Sequence, residues 1–311
     1  MDSGGVEAVN TYLKCNVKER AAELNRLLAL PLEEKIRNSV DLIGTVLEKH
    51  QRPVVACSFG KDSMVMLHLV RQLRPDVDVV YNNTGVEFPE NVTFARRMGE
   101  EWSLNMHVTR PETTFWKVVD QYGWPLLGKD CYGRARQKWA RAEARISAKC
   151  CEVLKEKPSN KLIAGLGADV ILLGTLATES RNRRFRWMEH GEYFQNKREN
   201  FWKCHPIATW TEADVWAYHE LHQIPHCPIY DMGHKRNGCW PCGMDIKFKD
   251  NHLSVLRQTH PRLWRFLMVD KGLGKELMKL KLCLDDGQMN IDHYVDVEDL
   301  LRVRPCYFDR L

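Results

Sequence analysis

Short apolar runs alternating with amphipathic ones place this chain in the α/β class, as a parallel sheet with helices on both faces. Three observations carry that expectation. Pro53-Val54-Val55-Ala56 is a buried-strand pattern that runs into the polar loop Cys57-Ser58-Phe59-Gly60-Lys61-Asp62-Ser63 and then into an amphipathic stretch ending at Leu73. Val77 to Tyr81 is β-branched and leads into Asn82-Asn83-Thr84-Gly85. Val170 to Gly174 is a continuous apolar run closed by a glycine. In such sheets ligands bind outside the carboxyl ends of the strands, so the loops at 57–63, 82–87 and 174–181 are expected to converge there.

The elements follow in order. Val17 to Leu30 and Leu32 to His50 show 3.6-residue apolar spacing and predict two helices. Next come a strand at 53–57, a helix from about Ser63 to Leu73, and a strand from Val77 to Tyr81. A helix from Pro89 to Ser103 leads to a strand from Leu104 to Val108, and Val170 to Gly174 adds another strand. Residues 205–311 read as more helical and irregular, with Val295 to Leu301 as one helical stretch. The expected organisation is a helical extension over 1–50, a nucleotide and cysteine domain over 51–245, and a helical extension over 246–311.

Composition narrows the function classes. A 44% hydrophobic, 28% charged chain has enough apolar material for a core, and its longest apolar runs are too short to span a bilayer. The N-terminus lacks a basic segment followed by an apolar one, so eleven cysteines argue for a reducing compartment rather than a disulfide scaffold. A cytoplasmic protein with no membrane partner is expected. The net charge of +5 is unevenly spread. Arg134, Arg136, Lys138, Arg141, Arg145 and Lys149 share one helix-compatible stretch, and Arg181, Arg183, Arg184 and Arg186 form a second cluster suited to phosphate or sulfate groups.

The loop at 57–63 is not a Walker A motif, because Ser-x-Gly-Lys-Asp-Ser is shorter than Gly-x-x-x-x-Gly-Lys-Ser/Thr. Its parts still suit an anion. Gly60 permits a tight turn, Lys61 supplies a point charge, Ser58 and Ser63 offer hydroxyls, and the following helix presents unpaired N–H groups. The alternative is a polar turn capped by Ser63.

These residues resemble the PP-loop ATP pyrophosphatases, and more narrowly the phosphoadenosine phosphosulfate (PAPS) reductase family within them. The resemblance covers roughly residues 50–245. Asn83-Thr84-Gly85-Val86-Glu87-Phe88-Pro89 is similar to the family's acidic block, and Gly174-Thr175-Leu176-Ala177-Thr178-Glu179-Ser180-Arg181 to its Gly-x-Arg-x-x-Glu-Ser block, with Leu176 in place of the arginine. His205 to Trp216, then Ile224-Pro225 and Pro228-Ile229-Tyr230-Asp231-x-Gly233, continue in register. The resemblance implies a Rossmann-like, adenine nucleotide α-hydrolase-like fold and chemistry at an α-phosphate. It implies ATP and Mg²⁺, with Ser58, Phe59, Gly60, Lys61, Ser63 and Gly174 binding the nucleotide. Asp62 places Mg²⁺ or the loop, and Glu87 and Arg181 contact substrate or metal.

Cys150-Cys151 and Cys239-x-x-Cys242 are two pairs of soft ligands suited to an iron–sulfur cluster or zinc. Adjacent cysteines are awkward for tetrahedral zinc. In iron–sulfur members of the family, a Cys-Cys pair before x-x-Leu-Lys-x-x-Pro joins a Cys-x-x-Cys around a 4Fe–4S cluster, which makes these four the implied ligands. Cys131 is an alternative ligand, and buried cysteines beside a redox Cys-x-x-Cys are the alternative reading. Cys57 is expected to be a buried strand cysteine, and Cys15, Cys204, Cys227, Cys283 and Cys306 structural.

Reductases of this family carry a nucleophilic cysteine in Glu-Cys-Gly-x-His, and residues 245–311 contain no such motif. The resemblance therefore points to the iron–sulfur ATP pyrophosphatases that feed sulfur into nucleic acid, such as the DNA phosphorothioation proteins. Expected partners are an adenine nucleotide, a cysteine desulfurase as sulfur donor, nucleic acid as acceptor and a second copy of the chain in a homodimer. Trp139, Trp187 and Trp202 near the basic clusters are candidate base-stacking residues, against the commoner alternative of core packing. Two other readings stand beside this one. The first is a reductase whose thiol is Cys283, Cys306 or a partner's, and the second is a non-catalytic subunit that holds nucleotide and cluster.

Overall fold

The computed structural model of the protein describes residues 17–126, 144–196, 201–246 and 251–284. They fall into two compact units, one drawn from Met1–Asn82, Glu90–Thr109 and Ser159–Pro228, the other from Asn83–Pro89, Arg110–Pro158 and Ile229–Leu311. No helix among the described residues is long and apolar enough to cross a membrane.

The first unit holds a six-stranded sheet. Its strands are β1 (Pro53–Ala56), β2 (Asp78–Asn82), β3 (Asn105–Thr109), β4 (Val170–Leu173), β5 (Tyr193–Asn196) and β6 (Phe201–Cys204), in the order β3-β2-β1-β4-β6-β5. β1 runs parallel to both β2 and β4, with Val55 opposite Val79 on one side and Leu172 on the other. β2–β3 and β4–β6 are also parallel. Val54 and Val55 are both buried, so the strand is covered on both faces, as a continuous apolar run requires. Val54, Val80, Ile163, Ile171 and Phe201 pack into one core cluster.

The sheet departs from the expected all-parallel arrangement at one edge. β5 pairs antiparallel with β6, Tyr193 lying opposite Cys204. Four residues join the two strands, enough for a hairpin and too few for a parallel crossover.

The helices α1 (Val17–Leu28) and α2 (Leu32–Lys49) belong to this same unit. Leu24 of α1 packs with Ala177, Trp187 and Ala208. On α2, Lys35 is buried and its ammonium bonds the Asp214 carboxylate at 2.6 Å and the Leu28 carbonyl at 2.8 Å. The Ser39 hydroxyl donates to the Pro206 carbonyl and accepts from the Trp210 indole. Burial pushes the Asp214 carboxyl up, but bonds from Lys35 and Thr211 outweigh it and hold it below the usual range. A carboxylate held low contributes stability above its unfolded value and loses it as the pH falls through the folded one. Lys35→Ala strands that carboxylate and is expected to lower unfolding stability by about 3 kcal/mol, read from the urea midpoint.

The remaining helices of this unit are α3 (Lys61–Leu73), α8 (Arg181–His190) and α9 (Glu212–His222), with α4 (Pro89–Glu101) and α7 (Lys157–Gly165) belonging to it almost entirely. α3 begins two residues before the position expected from sequence. The second unit carries α5 (Phe115–Tyr122), α6 (Lys149–Cys151), α10 (His252–Thr259), α11 (Pro261–Arg265) and α12 (Leu273–Leu284). Its interior is aromatic: Trp116 meets Trp240 at 5.9 Å and Phe266 at 5.6 Å, and Phe88 is surrounded by the rings of His234, His252 and His260. The helical reading of the region after 246 holds through Leu284, while Val295 to Leu301 lies outside the described residues.

Candidate active site and cysteine centre

β1 delivers the chain into the 57–60 loop, and α3 starts at once behind it. Gly60 is the N-cap of α3 with extended backbone (φ −80°, ψ 161°), and no side chain caps this helix. Its first N–H groups point out of the helix end, an arrangement that favours an anion. The Ser63 hydroxyl donates to the Gly60 carbonyl at 2.9 Å and lies 3.3 Å from the Ser58 hydroxyl. The Lys61 ammonium is 3.1 Å from Asp62 and 3.5 Å from Glu212. Asp62 thus faces the loop's own cation.

The residue in left-handed backbone is Phe59, at φ 58°, not Gly60. A bulky side chain there is strained, and burial holds it: Phe59 has no exposed surface and packs edge-on against Tyr81 at 5.3 Å and Phe94 at 6.4 Å. Phe59 serves the site as an aromatic anchor for the turn. Cys57 is buried as expected, and burial pushes its thiol up to about 11.

The strand order reverses between β1 and β4, and the loops leaving those two strands meet. A Cβ on Gly174 would lie 2.8 Å from both the Asp62 carbonyl oxygen and the Ser63 Cα. Glycine is required because the second loop touches the backbone of the first. Gly174→Val is expected to push the 61–63 backbone outward and weaken adenine nucleotide binding by roughly tenfold or more, measured by calorimetry beside an unchanged circular dichroism spectrum.

Past Gly174 the chain turns on Glu179, whose carboxylate accepts from the Leu176 N–H at 3.0 Å and pairs with Arg183. Leu176 is buried. Ser180 caps α8, and Arg181 opens it, exposed, its guanidinium over the Phe185 ring at 5.3 Å. Trp187 is buried beneath the Arg20 guanidinium and Trp202 stacks on Tyr193, so both are packing residues rather than free stacking surfaces. Trp139, Cys131 and the basic residues 134–141 lie outside the described residues.

The cysteines gather in the second unit. Cys150 and Cys151 sit in the single turn α6, which passes directly into a π-helical turn over Glu152–Glu156. A π turn re-aims side chains by a fraction of a turn and is common at functional sites. Here Leu154 and Lys155 join all four motif cysteines in lining one cavity of about 520 Å³. His234, Lys235, Arg236, Asp245 and His252 also line it. The thiols are unpaired by disulfides. Cys151 as hydrogen-bond partner, then burial, push the Cys150 thiol up; burial, then Cys239, push Cys242 up to about 12. Four thiols that sense one another around a cavity form a single donor set. Among the described residues no group of three or more His, Cys, Asp or Glu could hold a single metal ion. All four cysteines line the same cavity.

Glu87 belongs to this centre. It forms a bridge pairing with Cys239, and its buried carboxylate accepts from the Thr84 hydroxyl at 2.9 Å and faces the Lys155 ammonium at 3.7 Å. The Cys239 thiol lies 3.4 Å from Thr84 and 3.7 Å from Glu87. Burial pushes Cys239 up to about 11, while Lys155 opposes that rise. Cys239, and after it Glu87, hold Lys155 above the usual lysine range. Of the three loops expected to converge, the first and third meet in the first unit, whereas 83–87 packs on the Cys-x-x-Cys segment.

Residues outside the sequence-derived set also meet the site. Lys155 carries a partly exposed charge beside Cys239, and His219 bonds the Lys61 carbonyl at 2.9 Å. The Thr175 hydroxyl lies 2.5 Å from His205, whose imidazole burial, then Lys203, push down to about 3. A helix-internal histidine leaves no pattern in sequence, and nothing there pointed to His219.

A model described as a phosphoadenosine phosphosulfate reductase domain matches residues 52–244. An adenosine 5'-phosphosulfate reductase from Geobacillus kaustophilus is 28% identical over 218 residues, covering 69% of this chain and 83% of that one. A phosphoadenosine 5'-phosphosulfate reductase from Xanthomonas campestris pv. campestris is 31% identical over 188 residues, 59% of this chain and 68% of that one. Among solved structures, a phosphoadenylyl-sulfate reductase from Candida auris in a phosphate complex matches with a TM-score of 0.49 and 15% identity, over 73% of this chain and 97% of that one.

Proposed function

The chain belongs to the phosphoadenosine phosphosulfate reductase family, and from that membership we propose that it cleaves ATP to AMP and pyrophosphate, activating a substrate so that sulfur replaces oxygen. The observation that carries this reading is the close approach of Gly174 to Asp62 and Ser63, which closes two loops around the uncapped start of α3. An acceptor oxygen attacks the α-phosphorus, the bond to the β-phosphate breaks, and pyrophosphate leaves with its charge developing against the α3 N-terminus and Lys61. Ser58 and Ser63 orient the phosphates, and Asp62 holds Lys61 in place or carries Mg²⁺ beside it.

The four cysteines fit a 4Fe–4S cluster, because such a cluster takes four thiolates and all four thiols line one cavity. Cys150, Cys151, Cys239 and Cys242 would hold it, with Thr84, Glu87 and Lys155 orienting Cys239 and balancing charge. When bound, it supplies a soft, redox-active iron–sulfur surface. Hydrosulfide, released from a cysteine desulfurase product by a thiol reductant, displaces AMP from the activated acceptor. A nucleic-acid backbone phosphate suits the acceptor role because Arg181 and Arg186 are exposed on α8 beside Phe185.

The names of the similar proteins favour a second reading, reduction of adenylyl sulfate or its 3'-phosphorylated form. That reaction needs a nucleophilic thiol outside the four cysteines, and Cys283 and Cys306 are the candidates in this chain. The two readings separate in one anaerobic assay. Pyrophosphate released from ATP supports the first, and sulfite released from a sulfonucleotide without pyrophosphate from ATP supports the second.

A further inference from the structure

His219 lies on α9, 4% exposed, and both of its ring nitrogens meet backbone carbonyls. Nε2 is 2.9 Å from the Lys61 carbonyl oxygen and Nδ1 is 3.0 Å from the Ile224 carbonyl oxygen. A carbonyl can only accept. A neutral imidazole has one N–H and one lone pair, so it satisfies one of these contacts and sets a lone pair against oxygen in the other. Only the imidazolium donates at both ends. The Lys61 carbonyl belongs to the first residue of α3, immediately behind the turn of the phosphate loop.

We propose that His219 is a positioning residue for the phosphate loop, held as a buried imidazolium that ties the first peptide of α3 to the chain after α9 and adds positive charge behind the anion site. This rests on the loop's reading as a phosphate site and not on which reaction follows. The charged and titratable groups around it are Lys61 and Asp62 on α3, Glu212 at the start of α9, and His68, His222 and His226. Asp62 and Glu212 both lie on Lys61. His226 faces His219 with ring centroids 6.3 Å apart, edge-on. Burial first, then His222, Arg71 and His219, push His68 down to about 4.

Ring-nitrogen NMR of the intact protein at neutral pH tests the charge directly. Two protonated nitrogens on His219 are expected; a single protonated nitrogen would overturn the inference. The companion measurement is calorimetric binding of inorganic pyrophosphate to wild type, His219→Gln and His219→Leu. Both variants are expected to bind roughly tenfold to hundredfold more weakly, the factor carried by a lost hydrogen bond to a charged group. In His219→Gln the His68 titration should also move upward, which a purely structural defect would not produce. Equal binding by wild type and both variants would refute the positioning role, whereas a wild type that binds neither pyrophosphate nor ATP would overturn this inference together with the loop reading.

Discussion

Lys61→Ala is expected to reduce ATP-dependent pyrophosphate release by about a hundredfold to a thousandfold, the scale of removing a preorganised charge from a developing anion. The side chain is 7% exposed and held by Asp62 and Glu212, so it already occupies a fixed position before nucleotide arrives. Fixed charges reorganise little during reaction, and that is where their effect on rate originates. Lys61→Arg is a poor substitute, because a planar fork cannot replace a compact ammonium in a closed loop. Thermal unfolding of the alanine variant should shift little beside this loss of turnover. Retained pyrophosphate release in Lys61→Ala would remove the loop from the mechanism.

The second large effect concerns the cysteine centre. Cys239→Ser and Cys242→Ser are each expected to strip most iron from anaerobically purified protein and to abolish its visible iron–sulfur absorption. The two sulfurs share one cavity with Cys150 and Cys151, so losing any one breaks a common donor set. Glu87→Gln is expected to act more mildly, about tenfold to hundredfold on cluster retention, because it removes an orienting partner rather than a ligand. Zinc in place of iron in the wild type would contradict the cluster assignment. Iron retained in full by Cys239→Ser would remove that cysteine from the ligand set.

Much of this could be read from sequence because the informative residues obey local rules. Val54-Val55 and the run at 170–173 are apolar on both faces, which only a covered parallel strand requires, and both became central strands. The loop at 58–63 was legible from the residue types that an anion needs. Hidden features were those fixed by tertiary contact. The antiparallel edge β5 is four residues of mixed character, Tyr193 to Asn196, with no alternation strong enough to mark it. The left-handed residue is Phe59, held there by the surrounding rings, which no local pattern marks. Glu87 reads in sequence as a contact to substrate or metal, and only its partners Thr84, Lys155 and Cys239 show that it sits in the cysteine centre. His219 and Lys155 carry meaning only through the groups they meet.

The central claim is cleavage at the α-phosphate, and phosphorus NMR of the products formed from ATP and Mg²⁺ with a nucleic-acid acceptor and hydrosulfide under anaerobic conditions tests it most directly. The account predicts AMP and pyrophosphate in equal amounts, formed by wild type and lost in Lys61→Ala. ADP and inorganic phosphate as the products would contradict it.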